Sequence, residues 1–339
     1  MSLNPQVRMI NLMKNVKPAM RMVYGEDFTV WQKRARVRLV ELLGLPLEGT
    51  EPNFRVEWIN DSNPYFAETR FLFESEPDVT VSGHLLLPKG IQQKKLPLVI
   101  CLQGHSTGMH ISLGRALYPG DEETINGGDR DFALQVVARG QAALVLDQRA
   151  FGERGGTEKG PDCYQPSVQA LLIGQTIVGQ RCWDVSRAID VAGKHFPQLD
   201  MNQVAVMGNS GGGVTSLYAA AVDERIAAAM PSCAFCGFMA SFGTQYHCLC
   251  SYVPGIMKDF DMGDLAGLIA PRPMIVVSGQ KDAIFPIEAA KEQAEVARLY
   301  YAAAGMPERF QHVVGPDGHR FYAGLSWPVF DELTGWKRS

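Results

Sequence analysis

Val204-Ala205-Val206-Met207-Gly208-Asn209-Ser210-Gly211-Gly212-Gly213-Val214-Thr215-Ser216-Leu217 is the stretch that decides how this chain is read. Four apolar residues run into a glycine-rich turn. The turn runs into a helix-like segment that continues through Tyr218-Ala219-Ala220-Ala221. Strand, sharp turn and helix form the context that a G-x-S-x-G elbow requires, with the serine hydroxyl raised above a sheet at the corner. Glycines two before and two after the serine fit that corner, because a Cβ there would strike the neighbouring strand and helix. The same glycines do not make a phosphate loop. No G-K-[ST] follows, and no acidic ribose partner lies about 20 residues on.

Working outward, residues 1–50 read as a helical extension. Thr29 with Gln32 resembles a capping box, and a helix is expected through Trp31, Leu39, Leu42 and Leu43 to Gly44. Segments 54–59, 67–74 and 79–87 are rich in β-branched and aromatic residues and are parted by turn residues, which predicts an antiparallel meander. From Leu96 the pattern changes. Short apolar strands are expected at 98–102, 142–146, 204–207, 226–230, 274–277 and 311–314, with helices at 131–139, 180–195, 212–222 and 287–305. Apolar runs without alternation suit a parallel sheet covered on both faces. The expected organisation is therefore a helical extension over 1–50 and an α/β domain over 51–339, with a lid-like insertion around 233–260.

Bulk properties exclude several partners. A formal net charge of −4 supplies no basic surface for nucleic acid or anionic lipid. Residues 226–257 carry no Asp, Glu, Lys or Arg, but Pro231, Gly237, Gly243, Gln245 and His247 interrupt them. That argues for a buried strand followed by an apolar lid or pocket wall, not a membrane helix. The expected partner is a small molecule, with neither nucleic acid nor membrane, and a homo-oligomer is compatible. Seven cysteines, an odd number in a chain too large to need staples, favour reduced thiols and a cytoplasmic setting. No leader is visible in 1–15, although Met1-Ser2-Leu3 leaves room for one already removed.

A serine hydroxyl needs a general base, and that base needs an orienting acid. In the order that accompanies this elbow, the acid follows the serine and the histidine comes last. Asp282, in Ser278-Gly279-Gln280-Lys281-Asp282, lies just past the strand at 274–277. His319, in Gly315-Pro316-Asp317-Gly318-His319, lies just past the last strand. The other histidines compete poorly: His84 and His312 fall inside strands, and His195 ends a helix. An oxyanion would be met by the N–H of Gly211 and by a donor from Gln103-Gly104-His105-Ser106-Thr107-Gly108, with His105 ahead of Gly104.

These residues resemble the α/β-hydrolase superfamily, on its carbohydrate-esterase side near acetyl xylan esterases and cephalosporin deacetylases. Dienelactone-hydrolase-like proteins are more distant. The resemblance spans residues 65–325 and rests on Gln103-Gly104-His105, on Asp147-Gln148-Arg149-Ala150-Phe151-Gly152-Glu153-Arg154, on 208–213, on Asp282-Ala283-Ile284-Phe285-Pro286 and on Gly318-His319. It implies an α/β-hydrolase fold and a serine hydrolase acting on a short-acyl carboxylic ester, such as an acetyl ester of a carbohydrate, through Ser210, His319 and Asp282 without a cofactor. It also implies that segment 147–154 is structural. Gln103 stands where many members have His, and Asn209 and Gly211 differ from the usual neighbours of the serine. A peptidase or a lactonase of the same fold, or a non-catalytic binding protein, are the alternatives. The prolyl-oligopeptidase type needs a propeller that the residues before the hydrolase domain are too few to form.

The aromatics Phe235, Phe238, Phe242, Tyr246 and Tyr252 are expected to wall the acyl pocket. Cys233, Cys236, Cys248 and Cys250, with His247, could supply ligands to zinc. C-x-C is an unusual spacing for that role, and buried small residues are the preferred reading, so no metal is expected.

Overall fold

Apolar runs flanked by turns build one sheet in the computed structural model, which describes residues 3–23, 25–92, 95–157 and 160–336. Its strands are β1 (Arg55–Asn60), β2 (Phe66–Glu76), β3 (Val79–Pro88), β4 (Leu96–Leu102), β5 (Ala142–Leu146), β6 (Leu199–Asn209), β7 (Ala228–Ser232), β8 (Met274–Gly279) and β9 (Phe310–Gly315). They lie in the order β1-β2-β3-β5-β4-β6-β7-β8-β9. β1 to β3 form an antiparallel meander, and β3 joins β5 antiparallel. From β5 to β9 every neighbouring pair is parallel. This is the α/β-hydrolase fold, with an antiparallel start and a mostly parallel centre.

Both faces of the centre are covered. Within β4 every residue is buried. Leu98, Ile100 and Leu102 pack on one side, and Val99 and Cys101 on the other. The first side is closed by helices Phe28–Leu43, Ile177–His195, Gly211–Val222, Met262–Ile269 and Ile287–Ala303, and the second by Phe132–Ala138 and Ala323–Thr334. A two-sided cover is why these strands show no polar alternation. β1, at the edge, is exposed throughout.

The helix Phe28–Leu43 is capped differently from the sequence expectation. Asp27, not Thr29, is the N-cap and accepts the Val30 N–H. Gln32 instead donates to the carbonyls of Gly267 and Ala270. Trp31, Ala35, Leu39 and Leu43 of this helix belong to the main core. No helix of the described residues is long and apolar enough to cross a membrane.

The site is positioned by one feature of the topology. The chain leaves β4 towards β5 on one side and returns to β6 on the other. The segments after β4 and β6 therefore diverge, and open α/β sheets bind ligands in such a crevice beyond the strand ends.

Candidate active site

Ser210 stands at the corner between β6 and the helix Gly211–Val222, with φ 55° and ψ −122°. A non-glycine residue there is strained, and such strain persists only where its surroundings enforce it. Here the Ser210 N–H donates to Ser232 O at 2.8 Å, and the flanking backbone leaves no slack. A Cβ on Gly208 would lie 2.5 Å from the Gly212 carbonyl carbon, and one on Gly212 would lie 2.1 Å from Leu102 O. The serine side chain makes no capping hydrogen bond to the helix it precedes.

His319 and Asp282 meet as a pair. His319 Nδ1 donates to Asp282 Oδ2 at 2.8 Å, with the carboxylate fully buried and the imidazole partly exposed. Asp282 Oδ1 accepts the N–H groups of Ile284 and Phe285. Burial alone would push the Asp282 carboxyl up; its hydrogen bonds to the His319 ring and to these backbone N–H groups outweigh it and hold the group below the usual carboxylate value. The acid therefore stays ionised and holds the proton on Nδ1, and Nε2 is the ring nitrogen without a partner among the described residues. Cys233 Sγ lies within 4.8 Å of the ligand atoms of both. Burial, then the Asp282 charge, pushes that thiol up to about 12, so it is neutral and unreactive.

The segment after β4 abuts the serine. A Cβ on Gly104 would lie 2.6 Å from Asn209 O and 3.0 Å from Ser210 Cβ, and one on Gly211 would lie 2.9 Å from the His105 ring. Gln103 ties this loop down: its Nε2 donates to Ser112 Oγ and to Arg130 O, both at 2.7 Å. Gln148 Nε2 donates to Gln103 O, and Thr215 Oγ1 to Gln148 Oε1. Segment 147–154 is a scaffold. Asp147 accepts the N–H groups of Met109 and Glu153, while Arg149 and Arg154 both grip Asp184.

The aromatics divide. Phe242 stacks on His247 at 4.0 Å and meets Phe285 at 6.2 Å, and Phe285 stacks on His319 at 6.0 Å. Phe238 and Tyr252 pack against Phe242. Phe235 is instead fully buried in the core beside Phe310. Tyr246 is 93% exposed, at the rim of a cavity that Phe242, His247 and Tyr252 also line. Periodicity in an uncharged run could not separate these fates, because core and pocket positions are equally apolar.

Residues 6–233 match the model of the Abhydrolase family, about two thirds of the chain. The chain belongs to the Abhydrolase family. Among curated proteins this Abhydrolase-family chain is 26% identical over 275 residues to YtaP of Bacillus subtilis (strain 168), a provisionally named hydrolase, covering 76% of this chain and 88% of that one. A provisionally named acetyl xylan esterase from Bacteroides fragilis NCTC 9343 superposes with a TM-score of 0.77 at 18% identity, covering 98% of this chain and 90% of that one. A glucuronoyl esterase from Solibacter usitatus superposes with a TM-score of 0.67 at 16% identity, covering 95% and 99%. At these identities the two structures share the fold.

Sequence reasoning missed two features of this Abhydrolase site. Arg130 is buried, has no carboxylate partner among the described residues, and brings Nη1 to 3.4 Å from the Cβ position of Gly104. Burial pushes its guanidinium down to about 10, still cationic at neutral pH. The cysteine set weighed for zinc does not assemble. Cys236 Sγ faces Pro286 O and Cys233 Sγ faces Arg320 O, away from Cys248 and Cys250, which meet His105 and Cys163 instead. Contacts this distant in sequence have no local signal.

Proposed function

We propose that this protein is a serine carboxylesterase that cleaves a short-acyl ester, of which an acetyl ester of a carbohydrate is the preferred candidate. The observation that carries the reading is Ser210, held at a strained strand-to-helix corner, in a fold that also supplies a buried Asp282 bound to His319 Nδ1.

Ser210 Oγ attacks the ester carbonyl while His319 Nε2 takes its proton. Asp282 holds the ring tautomer and favours the imidazolium. The carbonyl oxygen becomes an oxyanion, met by the N–H of Gly211 at the start of its helix and by the N–H of His105 or Gly104. None of these three groups has an acceptor among the described residues. Arg130 adds positive potential from behind Gly104. Collapse of the intermediate expels the alcohol, which leaves with the proton held by His319. Water, deprotonated by the same imidazole, then releases the acid and restores Ser210. The Phe242–Phe285 wall beside His319 is the candidate limit on acyl size. The acetyl and carbohydrate preferences are supported by what the relatives are named for, acetyl xylan and glucuronoyl esters. The unpaired state of the cysteines supports a reducing, cytoplasmic setting.

A panel of aryl and sugar esters of graded acyl length tests this. Acetyl esters should turn over fastest. Asp282→Asn should lower kcat by about 10⁴ while leaving the circular dichroism unchanged. A loss of less than about tenfold would mean that another acid serves.

A further inference from the structure

Four ligand-type side chains that this chemistry does not use meet beside the crevice. His105 Nε2 and the Sγ atoms of Cys163, Cys248 and Cys250 all lie within 4.8 Å of one another. His105 Nε2 lies 3.3 Å from Cys250 Sγ. They come from three separate parts of the chain. His105 lies in the loop after β4, Cys163 directly precedes the helix Tyr164–Leu172, and Cys248 and Cys250 flank Leu249 in a short 3₁₀ turn. A tetrahedral zinc ion with Zn–S near 2.3 Å and Zn–N near 2.0 Å sets its donor atoms roughly 3.5–3.8 Å apart, so adjustments of about 1 Å or less would seat it.

The second observation is charge. Arg181 is 2% exposed. Its guanidinium donates to Arg149 O, covers the Phe151 ring at 4.2 Å, and points its remaining N–H groups at Cys250 Sγ (3.4 Å) and Cys163 Sγ (3.7 Å). No carboxylate pairs with it among the described residues. A buried cation needs a counter-charge. Three thiolates and one neutral imidazole around a divalent cation carry one net negative charge, which balances Arg181.

We propose that His105, Cys163, Cys248 and Cys250 form a zinc site, with Arg181 as its counter-ion. Thiolate and imidazole donors in a tetrahedral set select zinc among the common divalent ions. All four positions are filled by protein, so the ion is structural and no water is activated on it. Its work is to pin the loop that carries His105, and the uncharged segment around Cys250, to the core helix Ile177–His195 through Arg181. The thiols lose their protons to buffer as the ion binds. The proposal does not depend on the esterase reading, because metal uptake reports it directly.

The test is a titration of the full chain, chemically reduced and stripped of metal, first with Co²⁺ and then with Zn²⁺. One equivalent of Co²⁺ should bind with a thiolate-to-cobalt charge-transfer band and the strong visible bands of a tetrahedral ion, and one equivalent of Zn²⁺ should displace it. Cys163→Ser and Cys248→Ser should each abolish that signal, whereas Cys236→Ser should keep it. Cys248 is only half-buried, so its variant keeps a fold that circular dichroism can verify. No uptake by the reduced, folded wild type overturns the proposal. So does uptake that survives in both Cys163→Ser and Cys248→Ser, or a disulfide among the three cysteines in protein isolated under reducing conditions.

Discussion

His247 shows how single residues near the site are tuned. Ser241 has one hydroxyl proton, and it goes to Ile284 O at 2.7 Å. Ser241 Oγ must therefore accept from His247 Nε2, 2.8 Å away, and the ring is neutral with its proton on Nε2. Burial above all pushes this imidazole down to about 4. The sign of the linkage follows. Between pH 6.5 and 4 the unfolded chain binds a proton at this ring that the folded chain does not, so stability falls as pH falls through that window. His247→Gln keeps a donor and removes the titration. Urea midpoints measured at pH 7 and pH 5 should differ less in this variant than in wild type; an equal drop in both would place the pH sensitivity elsewhere. The proton chemistry assigned to His319 is of the opposite kind. Its Nδ1 is fixed by a charged, fully buried partner, and its Nε2 has no partner among the described residues.

Among the elements, the helix Phe28–Leu43 departs most from its reading as part of an extension. Trp31 stacks on Tyr300 at 4.5 Å, donates its indole N–H to Met20 O at 2.6 Å and is fully buried. Trp31→Ala should cost about 3–5 kcal/mol, measured by chemical denaturation. A cost below about 1 kcal/mol would make the helix an appendage. Its existence was legible from the spacing of Trp31, Leu39 and Leu43, but the cap was misplaced by two residues. A capping-box pattern at Thr29 and Gln32 competed with Asp27, and tertiary carbonyls from Gly267 and Ala270 claimed the Gln32 amide. The parallel strands were legible because burial on both faces writes an unbroken apolar run. β6 is longer than its apolar centre, starting at Leu199, because pairing of Leu96 with Leu199 extends it through polar residues. The helices Asp121–Gly128, Tyr164–Leu172, Met262–Ile269 and Ala323–Thr334 were not read. They are short, and several contain glycine or proline, so neither their period nor their propensity stands out.

Across the whole molecule, the switch in strand order around β4 opens the crevice beside which the candidate residues lie. The elbow after β6 and the Gln103–Gly104–His105 turn face each other there. The Asp282 and His319 segments follow the carboxyl ends of β8 and β9 on the same rim. Each of these residues was legible, because each sits at a strand end marked by glycine. Arg130 and the His105–Cys163–Cys248–Cys250 cluster were not, because only the closed fold brings their parts together. Phe235 was assigned to the pocket although it belongs to the core, since an aromatic after a strand reads alike in either place. The central claim is that Ser210 is the nucleophile. Treatment of the native chain with a fluorophosphonate, followed by peptide mass spectrometry, tests it most directly. The account predicts a single phosphonylated serine, Ser210, with labelling abolished in Ser210→Ala; undiminished labelling of Ser210→Ala would contradict it.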